Sequence, residues 1–307
     1  MKRANSNESD FDFIKRIINY FQCWLIFIWE RFNPATHFAM IILFCAGTAT
    51  LAQVEDTNRI VYACILATVF FFRLRLFDEI KDYESDIIVN PKRPLPRGLL
   101  GVFDIKVVLV LSIIVEALIV HFLLPQALRC WLIALIWSLF MYKEFFIPNL
   151  IRPYLTTYAT SHTLVTLPLT LALISGMTNQ AQIQQSDTWS ALGAWLVFNI
   201  FELGRKTYQK SEERKNVESY SLIWGRYGAV ALVLIHAVIA AYAFSMAIGQ
   251  DFTQIGSLMS ACVVFLVFIS GLYLFIQKKW TGSLYRAASS VFILLIYGVL
   301  ALLPYTR

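Results

Sequence analysis

Apolar runs of about twenty residues recur along this chain, and their length matches what a helix needs to cross the roughly 30 Å hydrocarbon core of a bilayer. Nine can be drawn, over residues 36–53, 58–77, 102–124, 128–147, 154–176, 189–207, 227–249, 255–277 and 286–304. Backbone polar groups find no water in lipid, so each run must satisfy its own hydrogen bonds as a helix. The expected fold class is therefore all-α, an integral membrane bundle of nine transmembrane helices. Composition agrees: 58% of residues are hydrophobic and 15% charged, against about 25% charged in a soluble domain. The first run starts too far into the chain, and lacks the small-residue cleavage site, to read as a signal peptide.

Basic residues set the orientation. With the N-terminus in the cytoplasm, all 26 Lys and Arg except Arg59, Arg129 and Arg307 fall on the cytoplasmic side, as the positive-inside rule demands. The C-terminus then lies opposite. The net charge of +6 reflects topology and contact with anionic membrane lipids, and gives no reason to invoke nucleic acid. Between residues 11 and 32, Phe13, Ile14, Ile17, Ile18, Phe21, Trp24, Leu25 and Ile28 repeat at helical spacing beside Lys15, Arg16, Glu30 and Arg31. That pattern predicts an amphipathic helix lying on the membrane interface. The chain thus divides into a polar N-terminus with an interfacial helix (1–34) and a transmembrane domain (35–307). The five cysteines lack CxxC spacing and read as small buried hydrophobes. His162 is expected to pack through a hydrogen bond.

Polar residues concentrate in two cytoplasmic segments. In the first, Asp78, Asp82 and Asp86 recur every four residues after the second run. Four residues turn a helix by roughly 400°, which stacks the carboxylates near one face, where they repel unless a cation binds them. A hard divalent ion such as Mg²⁺ takes oxygen ligands, typically one or two carboxylates plus substrate phosphates. The sequel Asn90-Pro91-Lys92-Arg93-Pro94-Leu95-Pro96-Arg97-Gly98 offers Lys92, Arg93 and Arg97 to such a phosphate.

The second segment, 199–226, follows the sixth run. It holds Glu202 with Arg205 and Lys206 one turn on. An i,i+4 Glu–Lys pair at the membrane surface and a second metal or phosphate site are both open readings. Glu116, midway through the third run, either pairs with a neighbouring helix or lines a cavity. Lys143 and Arg152 are further candidate phosphate contacts, although positive-inside bias accounts for them equally.

Together these residues resemble the UbiA superfamily of intramembrane prenyltransferases, with nine transmembrane helices and aspartate-rich motifs after helices two and six. Its first motif, N-D-x-x-D-x-x-x-D, aligns with Asp78-Glu79-x-x-Asp82-x-x-x-Asp86, and its Arg-Pro-Leu-Pro-x-Gly sequel with Arg93 to Gly98. The resemblance implies Asp78, Glu79, Asp82 and Asp86 as Mg²⁺ ligands, with Asp78, Asp82 and Asp86 as the catalytic set. The second motif departs: the family's D-x-x-x-D stands here as Glu202-x-x-x-Lys206. Either Glu202 ligates a second ion with help from Glu212 or Glu213, or Lys206 and Arg205 hold diphosphate directly.

The implied activity is Mg²⁺-dependent transfer of a prenyl group from a prenyl diphosphate, ionised to an allylic carbocation, to a hydrophobic aromatic or lipid acceptor. An intramembrane terpene cyclase is the alternative from the same superfamily, and a non-catalytic membrane protein or transporter on the same fold is the third.

Overall fold

The structure, a computed structural model, describes residues 6–214, 217–249 and 252–303, with side chains from 14 to 214, 217 to 249 and 258 to 303. No strand occurs among them. The helices in chain order are α1 (Ser6–Arg31), α2 (Pro34–Leu51), α3 (Thr57–Lys81), α4 (Tyr83–Val89), α5 (Val102–Phe122), α6 (Leu128–Tyr142) and α7 (Pro148–Ile151). They continue as α8 (Leu155–Thr163), α9 (Thr166–Thr178), α10 (Gln185–Arg205), α11 (Tyr220–Ile223), α12 (Gly225–Ile248), α13 (Phe252–Phe275) and α14 (Lys279–Leu302). Lys2, Arg3, Lys215 and Arg307, which enter the orientation argument, lie outside the described residues.

Among the described residues, seven helical stretches are long and apolar enough to cross a membrane: Pro34–Leu51, Thr57–Lys81, Val102–Phe122, Leu155–Thr178, Gly225–Ile248, Leu258–Phe275 and Lys279–Leu302. The chain is a multi-pass membrane protein. The two remaining expected spans differ for separate physical reasons. The run 128–147 stops as a helix at Tyr142, because Glu144, Phe145 and Phe146 take φ values of 50°, 54° and 59°. Left-handed backbone cannot continue a right-handed helix. The run 189–207 is a 21-residue helix, α10, but carries Gln185, Asp187, Asn199, Glu202 and Arg205. It packs on α8, α9, α12 and α14, so protein covers faces that a lipid-exposed helix would have to make apolar.

The chain divides into two compact units, 1–38 with 68–116, and 39–67 with 117–307. In the first, α1 is a helix with Ile14, Ile18, Phe21, Leu25 and Trp29 exposed. Trp24, Phe27, Phe32 and Phe72 form an edge-to-face aromatic series, with Phe27 fully buried. Arg73 lies inside α3 and is fully buried. It donates to Glu116 of α5 at 2.6 and 3.2 Å, which settles Glu116 as a helix–helix partner. A guanidinium–carboxylate pair at this depth is tolerated only because each member neutralises the other.

In the second unit, α10 is the central helix. Small residues bring its neighbours close: a Cβ at Gly193 or Gly204 would collide with Phe244 or Ser289. Close approach at small residues is how helices associate where lipid gives no hydrophobic drive. Phe44, Phe198, Phe244 and Tyr297 fill the adjoining core through edge-to-face contacts.

Candidate functional site

The aspartate-rich segment is a helix with a joint. Its backbone bonds run from Asp82 to the Asp78 carbonyl and from Asp86 to the Asp82 carbonyl, at 2.9 and 2.8 Å. The four-residue spacing thus survives the break at Asp82 between α3 and α4. Two aspartates already have cations. Asp78 lies 3.7 Å from Arg75 and 3.5 Å from Lys81, half-exposed contacts that hold it weakly. Asp86 is buried, is paired with Arg93, and accepts from the Asn90 amide at 2.9 Å.

Asp82 and Glu79 differ from these. No side-chain partner occurs for the Asp82 carboxylate among the described residues. Burial, with help from Asp78 and Asp86, raises its pKa above the ordinary carboxylate value, against the pull of Lys81 and Arg93. Glu79 is 1% exposed; one oxygen takes Arg31 from the end of α1, and Oε2 is buried without any partner. A buried acceptor left unmade costs about 1–3 kcal/mol, more for a charged group. Glu79 and Asp82 are three residues apart, a spacing that shares a helix face.

No group of three or more His, Cys, Asp or Glu is placed to hold a metal ion among the described residues. Two unsatisfied carboxylates are nonetheless what one hard cation needs from protein when phosphate supplies the rest. The donor chemistry of Glu79 and Asp82 fits such an ion.

The basic sequel is compact. Successive turns close between Asn90 and Leu99, and Gly98 takes φ +76°, a conformation glycine adopts without strain. Arg97 forks onto Glu30 of α1 at 2.8 and 2.9 Å and also donates to the Lys92 carbonyl. That pairing pulls the Glu30 carboxyl below its usual range. Arg31, Asn90, Lys92 and Arg93, with Glu30, line a groove of about 400 Å³. The structure thus gathers Lys92 and Arg93 beside the motif, whereas Arg97 is committed to α1. The part α1 plays, through Glu30 and Arg31, has no signal in the sequence beyond two adjacent charges ending an amphipathic run.

In the second unit, both oxygens of Glu202 are occupied: Oε1 by Lys206 at 2.8 Å, Oε2 by Arg205. Glu212 and Glu213 give it no help. Glu212 takes Arg286 bidentately at 2.8 Å and the Gln209 amide at 3.1 Å, which together lower its pKa. Glu213 accepts from Ser219 at 2.8 Å and Ser221 at 2.6 Å. The connection from α10 closes on itself where the Tyr220 amide donates to the Lys206 carbonyl at 3.1 Å. The Tyr220 side chain is fully buried and its hydroxyl has no partner.

Lys143 is exposed, with its ammonium 5.1 Å from the Tyr142 ring centroid. Arg152 donates to buried Glu144 at 2.8 and 2.9 Å. His162 stacks on Tyr158 and bonds its carbonyl at 2.6 Å, the packing role expected of it.

No family model matches the sequence, and no curated protein does. Two solved structures are similar. A digeranylgeranylglyceryl phosphate synthase shares 16% identity, covers 94% of this chain and 98% of its own, and superposes with a TM-score of 0.61. A UbiA homologue from Aeropyrum pernix K1 shares 14% identity, covers 85% of this chain and 96% of its own, and gives 0.59. The chain has the UbiA fold. With identities this low, the likeness speaks of architecture and leaves the chemistry to the residues. On this UbiA fold, the first polar segment keeps carboxylates with capacity to spare and the second does not.

Proposed function

We propose that the protein transfers a prenyl group from a prenyl diphosphate to a hydrophobic acceptor within the membrane. The observation that carries this reading is the pair of unsatisfied carboxylates, Glu79 and Asp82, in an aspartate-rich segment of a UbiA fold. Mg²⁺, when bound there, would neutralise charge building on the departing diphosphate. Asp78 and Asp86 surround that position with further carboxylate, and Arg93 and Lys92 offer charge-assisted donors to phosphate oxygens. Exposed aliphatic side chains such as Val110, Leu111, Ile114 and Leu118 of α5 suit a lipid surround for the prenyl tail. On the positive-inside rule, the reacting end would face the cytoplasm. One neighbour is named for making a glyceryl phosphate lipid, so a polar lipid is the first acceptor to try, ahead of an aromatic ring.

The test is incubation of purified protein and Mg²⁺ with geranyl, farnesyl and geranylgeranyl diphosphates, with and without lipid extract or aromatic acceptors. Acceptor-dependent pyrophosphate release supports the reading. A cyclic hydrocarbon made without acceptor would move the protein to terpene cyclisation. No turnover in any combination would overturn the proposal.

A further inference from the structure

The end of α10 is the second place where a UbiA-type site implies a metal, and here the residues do not fit one. A carboxylate ligates a cation through a free lone pair, and both oxygens of Glu202 already face cationic nitrogens. The residue one turn on is a lysine, which while charged has donors only. Glu212 and Glu213 are spent on Arg286 and on the two serines. The local sum of Glu202, Arg205 and Lys206 is one net positive charge.

A separate observation says what this charge is for. Tyr220 is fully buried, and its hydroxyl makes no hydrogen bond. Its backbone is tied to Lys206 at 3.1 Å, and its phenol feels the charges of Glu202 and Arg205. An O–H donor buried without an acceptor costs free energy that an incoming anion would recover. Two cations and one orphan donor are the chemistry that a phosphate-like oxyanion needs.

We infer that Arg205, Lys206 and the Tyr220 hydroxyl form a metal-free site for a phosphate-like anion at the end of α10. The inference rests on the prenyl diphosphate reading for the identity of the anion. Glu202 is a positioning residue: it fixes the two cations and is not a ligand.

Two binding measurements on the purified full chain in detergent test this without turnover. The first counts Mn²⁺ by electron paramagnetic resonance with imidodiphosphate present. One ion per wild-type chain is expected, unchanged in Glu202→Gln. Lys206→Asp, which restores a carboxylate, should raise the count to two if it folds. Any wild-type count other than one, or loss of an ion in Glu202→Gln, overturns the inference.

The second measures imidodiphosphate binding in EDTA. Lys206→Ala and Tyr220→Phe should each weaken it, the lysine variant by about tenfold or more, as loss of a charge-assisted hydrogen bond would. Lys278→Ala should not. Equal affinity in wild type and Lys206→Ala overturns the inference. If these results hold and no prenyl diphosphate is turned over, the cationic anion site stands and the prenyltransferase reading falls.

Discussion

The segment after α3 and the segment after α10 begin from the same ingredients, acidic and basic residues at the end of an apolar helix, and reach opposite electrostatic states. After α3, the Asp82 carboxylate has no side-chain partner among the described residues and Glu79 keeps a buried oxygen unsatisfied. After α10, Glu202 is saturated within its own helix and Glu212 and Glu213 by nearby side chains. Spacing alone does not separate a ligand from an ion pair. For Glu202 and Asp82 the difference is whether a cation stands three or four residues away. Arg205 and Lys206 do so for Glu202; Asp82 is flanked at those distances by Asp78, Glu79, Ser85 and Asp86.

The comparison can be broken at several points. The largest effect is expected from Asp82→Asn. If Asp82 is a ligand, turnover falls by about a hundredfold or more, the scale of losing one preorganised electrostatic contact to the reacting charge. Folding in detergent should be unchanged, and near-normal activity would return the segment to a solvated charged loop. Next is Glu116→Gln, which removes the charge paired with the Arg73 guanidinium and should destabilise by about 3–5 kcal/mol in a thermal or denaturant melt. Replacing both members by apolar residues should recover most of that loss. If the single variant melts like wild type, the pair is not holding α3 to α5.

Glu212→Gln should cost about 2 kcal/mol near neutral pH, since it removes a largely buried bidentate charge-assisted pair with Arg286. The sign with pH follows from the lowered Glu212 pKa. Its stabilisation is fully present above the unfolded value of 4.5 and fades as pH falls through the lower folded value. Wild type and variant should therefore converge in melts taken progressively below that value. A gap that persists in acid would assign the cost to packing. The smallest effect is expected from Arg97→Ala, below about 1 kcal/mol, because its fork onto Glu30 is more than a third exposed.

The membrane class, most helix positions and the polar segments are legible in the sequence because lipid enforces length and apolarity. What escapes it is whatever depends on partners far along the chain. Arg73 reads as one more orientation charge until Glu116, 43 residues later, is placed beside it. Glu79 reads as a ligand of the motif, with nothing to suggest that Arg31 takes one of its oxygens. The helix of the expected fourth span ends before Glu144–Phe146, three left-handed residues without a glycine to announce them.

That left-handed turn has a practical consequence. Each non-glycine residue held there carries a penalty of about 1–2 kcal/mol that glycine does not. Phe145 contacts Trp137 and His162, and Phe146, 69% exposed, meets Phe140 edge to face. Phe146→Gly would relieve that penalty but lose the Phe140 contact, worth about 0.5–1.5 kcal/mol, and add about 0.5–1 kcal/mol of chain entropy, so its melting temperature should stay close to that of wild type. The awkward bend is one whose strain its own aromatic ring offsets.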